Sequence, residues 1–555
     1  MTCLVAFLIE QSVNPAIKVC QVGFLPDEAK YAMVTVPVKG AVEVWTTATS
    51  PKKVMEAKVE APKLDADSGD TIQCVDFSVL KSPGEYHLKV GALGWSAPFK
   101  IGKDVFAHAF RLAIRGFTGQ RASMDVSLAP DFPAYRFKAG HTALAQYDPS
   151  SGKTGTRDVS GGWYDAGDYG RYVVTSAITT GTLLWAYELN SSKLKKIKLD
   201  IPETGKNNLP DFLSEVKYDL DWMLKMQDTD GGVWHKAATA NFSGFVAPDQ
   251  DRAPVLVVGT GKAPFKNTTA TADWAAVAAI AARVYRPFDP KYANKCLVAA
   301  RKAYQWTTDH PNELFQNNPK GISTGAYTDG DARDERLWAV AELFRSTGES
   351  SYQADFLTQA KQWPDTITES GVPGWPQLRP MALMTFAMTS LSNVDKPFQA
   401  RVKADLAKAA DGITARVNAN GYMMPLKTAE YYWGSNSVVA NYALMLQVAG
   451  HVKKKPQYRQ AALDCLHYLL GRNTFATSFV TQVGTTYAMN PHHRPSRALG
   501  LSKPFPGLLV GGPNADNGKM PPAKQWEDKW ENYRVNEIAI NWNAPLVFVL
   551  ANVLP

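Results

Sequence analysis

The chain has 555 residues and a net charge of +8, with 45% hydrophobic and 20% charged residues. That balance belongs to a soluble globular protein, and no apolar run reaches membrane-spanning length. The basic residues are scattered, the densest runs being "KLKKIK" (193–198) and "KKK" (453–455), so no membrane and no nucleic acid is expected as a partner.

The length calls for two or more domains. Residues 1–15 read as an N-terminal extension: "MTCLVAFLIEQS" is apolar but lacks a basic leader and a clear cleavage site, so it is at most the remnant of a signal peptide. The five cysteines, at 3, 20, 74, 296 and 465, form no CxxC pair. Free buried thiols are expected in preference to a Cys20–Cys74 bridge. Residues 16–103 read as β: "YAMVTV" and "VEVWTT" are short β-rich runs, and "GEYHLKV" alternates Tyr86, Leu88 and Val90 on one face behind a Pro83-Gly84 turn. Short strands separated by turns predict a small β-sandwich.

From 104 to 555 the pattern is helical. "DVFAHAFRLAIRGF" opens it, with Asp104 as candidate N-cap. "YVVTSAITTGTLLWAYEL" sets Val174, Ile178, Leu184 and Trp185 on one stripe, and "LPDFLSEVKYDLDWMLKMQ" groups Leu213, Val216, Leu220 and Met223. "TADWAAVAAIAARVY" is Ala-rich on nearly all sides and should be buried on several faces. Further helices are expected at 290–308, 333–347, 352–362, 380–391, 397–417, 435–450, 457–471 and 543–553. About a dozen helices without a fixed-period repeat favour a closed ring of helical hairpins over an open array. The long Gly- and Pro-rich loops should gather at one end of that ring.

Three loops carry groups suited to chemistry. In "DVSGGWYDAGDYGRYVV" (158–174), Asp165 and Asp168 stand close together in a glycine-rich turn. Two carboxylates at one site raise at least one pKa or share a water or cation, so one can act as base while the other orients the water; a turn aspartate and a helix cap are the bland alternative. In "TTYAMNPHHRPS" (485–496), His492 and Arg494 lie in a segment stiffened by Pro491 and Pro495. Both can hydrogen-bond hydroxyls; adjacent histidines rarely converge on one metal. In "WEDKWENYRVNEIAINWNAPLVFVL" (526–550), Glu537 precedes an apolar run with Asn543 and Pro545 near the start of a buried helix. A carboxyl among apolar groups has a raised pKa and serves as a general acid. Together these groups fit glycosidic hydrolysis, where one acid protonates the leaving oxygen and a carboxylate on the other face activates water. The 15 Trp supply platforms for sugar rings, although core packing must account for most of them.

Over most of its length the chain resembles the family 9 glycoside hydrolases (cellulases) that carry an N-terminal immunoglobulin-like domain. "IKVCQVGFLPDEAKYAMV" resembles the opening of that domain, with Cys20 where Asn is usual. "GGWYDAGDYGRYV" is similar to the family's base loop, "NPHHR" to its His/Arg segment and "NEIAINWNAPLVF" to its acid segment; "WGSNSVVANYAL" and "DERLWAVAEL" add support. The resemblance implies an (α/α) barrel of six hairpins and an inverting endo-β-1,4-glucanase acting, without a catalytic cofactor, as a monomer on cellulose and soluble β-glucans. It makes Asp168 the base, Asp165 the holder of the water and Glu537 the acid. It makes His492 and Arg494 sugar ligands and Trp433, Trp375 and Trp542 stacking platforms, with Asp528 as a further site residue. An exo-acting glucanase or glucosaminidase of the same family is the alternative; a non-catalytic glucan binder is disfavoured because all three carboxylates are present. Export to the medium or periplasm goes with such a substrate. Thr486 departs from the usual Asn, Lys or Arg and puts one local contact in doubt. Some relatives hold zinc with cysteines where Ala122 and Gly140 stand here, so His141 alone predicts no zinc. "STGAYTDGDARDE" concentrates Asp329, Asp331, Asp334 and Glu335, hard-oxygen ligands that predict a structural calcium near a family calcium loop.

Overall fold

The computed structural model describes residues 13–555. Most of the apolar N-terminal start, with Cys3, lies outside the described residues. Strands between Ile17 and Ile101 build two sheets that share the long strand Lys53–Val59. One sheet runs Gly23–Phe24, Phe99–Ile101, Gly84–Val90, Val42–Thr46, Lys53–Val59; the other runs Ile17–Lys18, Tyr31–Val34, Thr71–Asp76, Lys53–Val59. Val42 pairs with Val90 and Val44 with Leu88, which puts the alternating apolar set of "GEYHLKV" into the core as expected. Phe24 meets Phe77 and Phe99 edge-on at ring-centroid distances of 5.2 and 5.4 Å inside the sandwich. Cys20, Cys74, Cys296 and Cys465 are free thiols, and burial pushes those of Cys20 and Cys74 up to about 12.

Fourteen helices follow among the described residues. They are α1 (Ala107–Gly119), α2 (Val173–Leu194), α3 (Asp211–Met226), α4 (Thr268–Tyr285), α5 (Pro290–Asp309), α6 (Arg333–Thr347) and α7 (Ser350–Ala360). Then come α8 (Arg379–Met388), α9 (Lys396–Ala419), α10 (Ser435–Val452), α11 (Pro456–Leu469), the short α12 (Arg494–Ala498) and α13 (Tyr533–Asn536), and α14 (Ile540–Val553). The eight later helices start and stop within three residues of the sequence expectation. The first differs: α1 begins at Ala107, and Phe106, not Asp104, holds the cap position without a side-chain bond. Pro545, expected near a helix start, lies inside α14, which begins at Ile540.

Helices α2, α4, α6, α8, α10 and α14 pack side by side into a closed inner ring, and α1, α3, α5, α7, α9 and α11 form the outer layer. The ring is therefore an (α/α) barrel of six hairpins. An inner helix touches neighbours on every side, so it cannot be amphipathic. In α4 only Arg283 escapes full burial. Small residues let large ones through: a Cβ on Gly181 of α2 would stand 2.8 Å from the Trp338 ring of α6. Truncating a fully buried Trp of this kind costs about 3–5 kcal/mol.

The sequence pattern missed a five-stranded sheet of two- and three-residue strands in the order Thr156–Arg157, Ala145–Tyr147, Leu256–Val258, Lys236–Ala238, Arg171–Tyr172. Its edge strand Arg171–Tyr172 is the tail of the Asp165/Asp168 loop. Such strands are too short to show a period, and their pairing partners lie far apart in sequence.

The sandwich packs on the barrel. Gln21 accepts hydrogen bonds from the backbone N–H groups of Thr485 (2.9 Å) and Thr486 (2.7 Å) and donates to the Ala476 carbonyl (2.7 Å). Thr486 thus takes part in the sandwich contact through its backbone. Asp70 is bound by Tyr422 and Lys524 at 2.6 Å each.

Candidate active site

Several candidate residues stand just ahead of an inner helix: Asp165 and Asp168 before α2, Trp375 before α8, Trp433 before α10 and Glu537 before α14. Main-chain bonds tie three of these loops into one unit. The Ile540 N–H donates to the Asp165 carbonyl (2.8 Å), the His492 N–H to the Asn536 carbonyl (2.8 Å), and the Arg494 N–H to the Gly167 carbonyl (3.1 Å). Gly511 N–H donates to the Glu537 carbonyl at 2.8 Å. Bridges Ala166↔Ala539 and His492↔Glu537 complete the seam. Gly167 is required here, because a Cβ would fall 2.0 Å from the His492 carbonyl oxygen.

The three carboxyls meet in contrasting environments. Asp165 is buried, and both its oxygens are taken: the Thr175 hydroxyl donates to Oδ1 and the Tyr327 hydroxyl to Oδ2. Burial, and next the charge of Asp168, push its pKa up to about 7. Asp168 accepts on Oδ2 from the Gly170 N–H (3.0 Å) and the Tyr172 hydroxyl (3.3 Å), while Oδ1 accepts nothing among the described residues. Glu537 is half-buried and its carboxyl makes no side-chain hydrogen bond among the described residues. Burial, followed by the charges of Asp168 and Asp165, holds it well above the usual carboxylate range against the opposing pull of Arg494.

The other expected residues divide between exposed faces and braces. Trp433 is 42% exposed, its ring 5.2 Å from that of Tyr533, which is equally exposed. Trp375 is half-buried, edge-on to Tyr327 at 5.1 Å. Trp542 is half-buried under the Trp433 turn, since a Cβ on Gly434 would come 2.8 Å from its ring. His492 donates from Nδ1 to the Trp530 carbonyl (2.7 Å), which leaves its Nε2 without a partner among the described residues. Arg494 is buried and pinned, Nη1 to the Gly167 carbonyl (2.8 Å) and Nε to the Ser243 carbonyl (3.0 Å). Asp528 accepts from the N–H groups of Met489 (2.8 Å) and Asn490 (2.9 Å) and from Asn536 Nδ2 (2.9 Å), so it braces the residue before Glu537. In the glycine-rich loop Trp163, Tyr164, Tyr169 and Tyr172 are all buried and serve packing.

Sequence reasoning missed Gln120 and Tyr327. Gln120 Nε2 donates to the carbonyls of Tyr164 (3.2 Å) and Ala166 (2.9 Å), and its Oε1 accepts from His493 Nε2 (2.8 Å). Burial lowers His493 to about 3, so its imidazole is neutral. Gln120 stands two residues before Ala122 and Tyr327 two before Asp329, and neither position carries a local signal for its role.

The four acids expected to hold calcium take different places. Among the described residues no three His, Cys, Asp or Glu side chains are grouped to hold a metal ion. Asp331 turns outward to Arg333, Asp329 accepts from the Asp331 N–H (3.0 Å), and Asp334 accepts from the Leu378 N–H (2.6 Å). Glu335 is fully buried near Asp334, Asp273 of α4 and Asp329, and burial followed by the neighbouring charges, Asp334 first, holds both Glu335 and Asp273 well above the usual range. His141 is committed elsewhere: its Nε2 lies 3.3 Å from Asp251 and its Nδ1 2.8 Å from the Tyr164 hydroxyl. A Cβ on Gly140 would fall 2.1 Å from the Pro248 carbonyl oxygen.

The family model for glycosyl hydrolase family 9 matches residues 106–550, and that for the cellulase N-terminal Ig-like domain matches 12–94. The chain is 36% identical over 545 residues to Endoglucanase D of Acetivibrio thermocellus, covering 96% of this chain and 83% of that protein. It is 32% identical over 559 residues to the Cellodextrinase of Butyrivibrio fibrisolvens, covering 96% and 98%. The crystal structure of the family 9 endoglucanase J30 superposes with a TM-score of 0.89 at 34% identity, covering 96% of this chain and 99% of that one. No helix among the described residues is long and apolar enough to cross a membrane. With both domain models matched in order, the chain belongs to glycosyl hydrolase family 9.

Proposed function

We propose that the protein is an inverting endo-β-1,4-glucanase that hydrolyses cellulose and soluble β-glucans. The observation that carries the reading is the unlike pair of carboxyls. Glu537, held well above the usual carboxylate range by burial and by the charges of Asp168 and Asp165, keeps its proton to higher pH than a free carboxyl and can give it to the glycosidic oxygen. Asp168 presents Oδ1, free of protein donors, to a water on the other face of the sugar. As the anomeric carbon loses its leaving group, Asp168 takes a proton from the attacking water and Glu537 ends as the carboxylate. Asp165, held by Thr175 and Tyr327, steadies that water. Trp433 and Trp375 offer ring faces to the chain, His492 Nε2 can bond a hydroxyl, and Arg494 and Asp528 act through the loops they brace. Trp542 supports Trp433 from below.

Cellohexaose digestion followed by NMR tests the reading: the first product anomer should be α, and a β product overturns inversion. A second reading, exo action on short cello-oligosaccharides, is favoured by the similarity to a cellodextrinase. Viscometry on carboxymethylcellulose separates the two, since endo cleavage drops viscosity steeply per reducing end formed. Export belongs to the same reading, because a polymeric glucan stays outside the cell; activity confined to the cytosol counts against it.

The sandwich contact gives a further expected result. Gln21→Ala strands two backbone N–H groups at the root of the His492 loop, which costs about 1–3 kcal/mol locally. Initial rates on cellopentaose should fall about tenfold while far-UV circular dichroism stays unchanged. A wild-type rate removes the sandwich from control of that loop.

A further inference from the structure

Lys236 is fully buried and forms no ion pair among the described residues. Its strand, Lys236–Ala238, lies antiparallel to Arg171–Tyr172, with Tyr172 directly opposite Lys236. The ammonium donates to Asn318 Oδ1 (2.7 Å), the Thr324 carbonyl (3.2 Å) and the Gly325 carbonyl (2.7 Å), and it stands 5.6 Å from the centre of the Tyr172 ring. His235 Nε2 donates to the next carbonyl, that of Ala326, at 2.7 Å. Two adjacent side chains therefore grip three consecutive carbonyls. The residue that follows is Tyr327, whose φ of +46° is strained for a bulky side chain. Such a conformation persists only where the surroundings enforce it. Tyr327 spends that geometry on Asp165, to which its hydroxyl donates.

The same ammonium is linked to the other aspartate through Tyr172. Tyr172, beneath it, donates to Asp168 Oδ2 (3.3 Å). Asp168 is the acid whose charge most favours protonated Lys236, with Asp148 next, although burial pulls the lysine down to about 7. The charged and titratable groups around Asp168 are Asp165 and Tyr172 on its own loop, Lys236 on the paired strand, His492 on the opposite loop, and Glu537.

We propose that Lys236 is a positioning residue for hydrolysis: with His235 it sets Tyr327 onto Asp165, and from its place over the Tyr172 ring it holds the hydroxyl that bonds Asp168. The inference rests on the assignment of Asp168 as base. Burial of an unpaired lysine is costly, and a purely structural plug at this place could be Met, which makes Lys236→Met the direct test. On cellopentaose kcat should fall about ten- to a hundredfold with KM within about threefold. Tyr327→Phe should lower kcat as well, and the double variant should be much less impaired than the product of the two single effects. If Lys236→Met does not fold, Lys236→Gln keeps a donor for the carbonyls and should lower kcat by less than about tenfold. Multiplicative losses in the double variant, or a Lys236→Gln as impaired as Tyr327→Phe, overturn the proposal. A dead Asp168→Asn beside a normal Lys236→Met sinks this inference alone, whereas an active Asp168→Asn sinks the base assignment beneath it.

Discussion

Glu537→Gln is expected to lower kcat on cellulose and cello-oligosaccharides by about 10²–10⁴-fold, the usual worth of a positioned proton donor. The amide keeps the shape of the side chain and its place in the His492↔Glu537 seam, so the fold should survive. The loss should depend on the leaving group. A dinitrophenyl cellobioside departs without help from an acid, and on it the variant should lose less than about tenfold. Equal losses on both substrates contradict the acid role. The wild-type rate should fall on the alkaline side as Glu537 loses its proton, and that limb should vanish in the variant. Stability carries the same signature. Asp165, Glu537, Asp273 and Glu335 all have raised pKa values in the folded chain. The native state therefore holds protons that the unfolded chain releases above about pH 4, and stability declines as pH rises from there through the folded values, near 7 for Asp165. Glu537→Gln removes one of these groups, so its melting temperature at pH 8 should be no lower than that of the wild type.

Asp168→Asn is expected to be as damaging, about 10²–10⁴-fold in kcat, but for the opposite reason and with the opposite dependence on the leaving group. Here the water goes unactivated, and a dinitrophenyl group does not rescue the rate. Added azide should: as an anion it needs no base, it attacks the anomeric carbon while Glu537 still protonates the departing oxygen, and the product is an α-glycosyl azide. Asp165→Asn should be milder than Asp168→Asn, since both Asp165 oxygens are already spent on Thr175 and Tyr327. If Asp165→Asn proves the worse of the two and azide rescues it instead, the roles of the two aspartates are exchanged.

The residues proposed for these roles were legible because the chemistry is local in the chain. The Asp165/Asp168 spacing, the proline-flanked His492 segment and Glu537 ahead of an apolar run each sit within a few residues, as does the helical periodicity that placed the later helices. The supporting cast was not legible. Tyr327, Gln120 and the His235-Lys236 pair act across separations of tens to hundreds of residues, and nothing in their immediate surroundings marks them. In the acidic run at 329–335 only Asp331 turns away to Arg333, while Asp329, Asp334 and Glu335 share an acidic environment with Asp273, which lies some 60 residues away in α4 and was not legible beside them.

By itself the sequence determined a β-sandwich ahead of a ring of helices and the identity of the three carboxyls, because periodicity and residue chemistry are read within single segments. The tertiary structure alone decided the state and surroundings of each carboxyl. Burial, neighbouring charge and hydrogen-bond donors are supplied by whatever the fold brings alongside. That is why Asp165 is enclosed by the hydroxyls of nearby Thr175 and distant Tyr327, Glu537 is held above the usual range beside the charges of Asp168 and Asp165, and Asp168 keeps one oxygen open among the described residues.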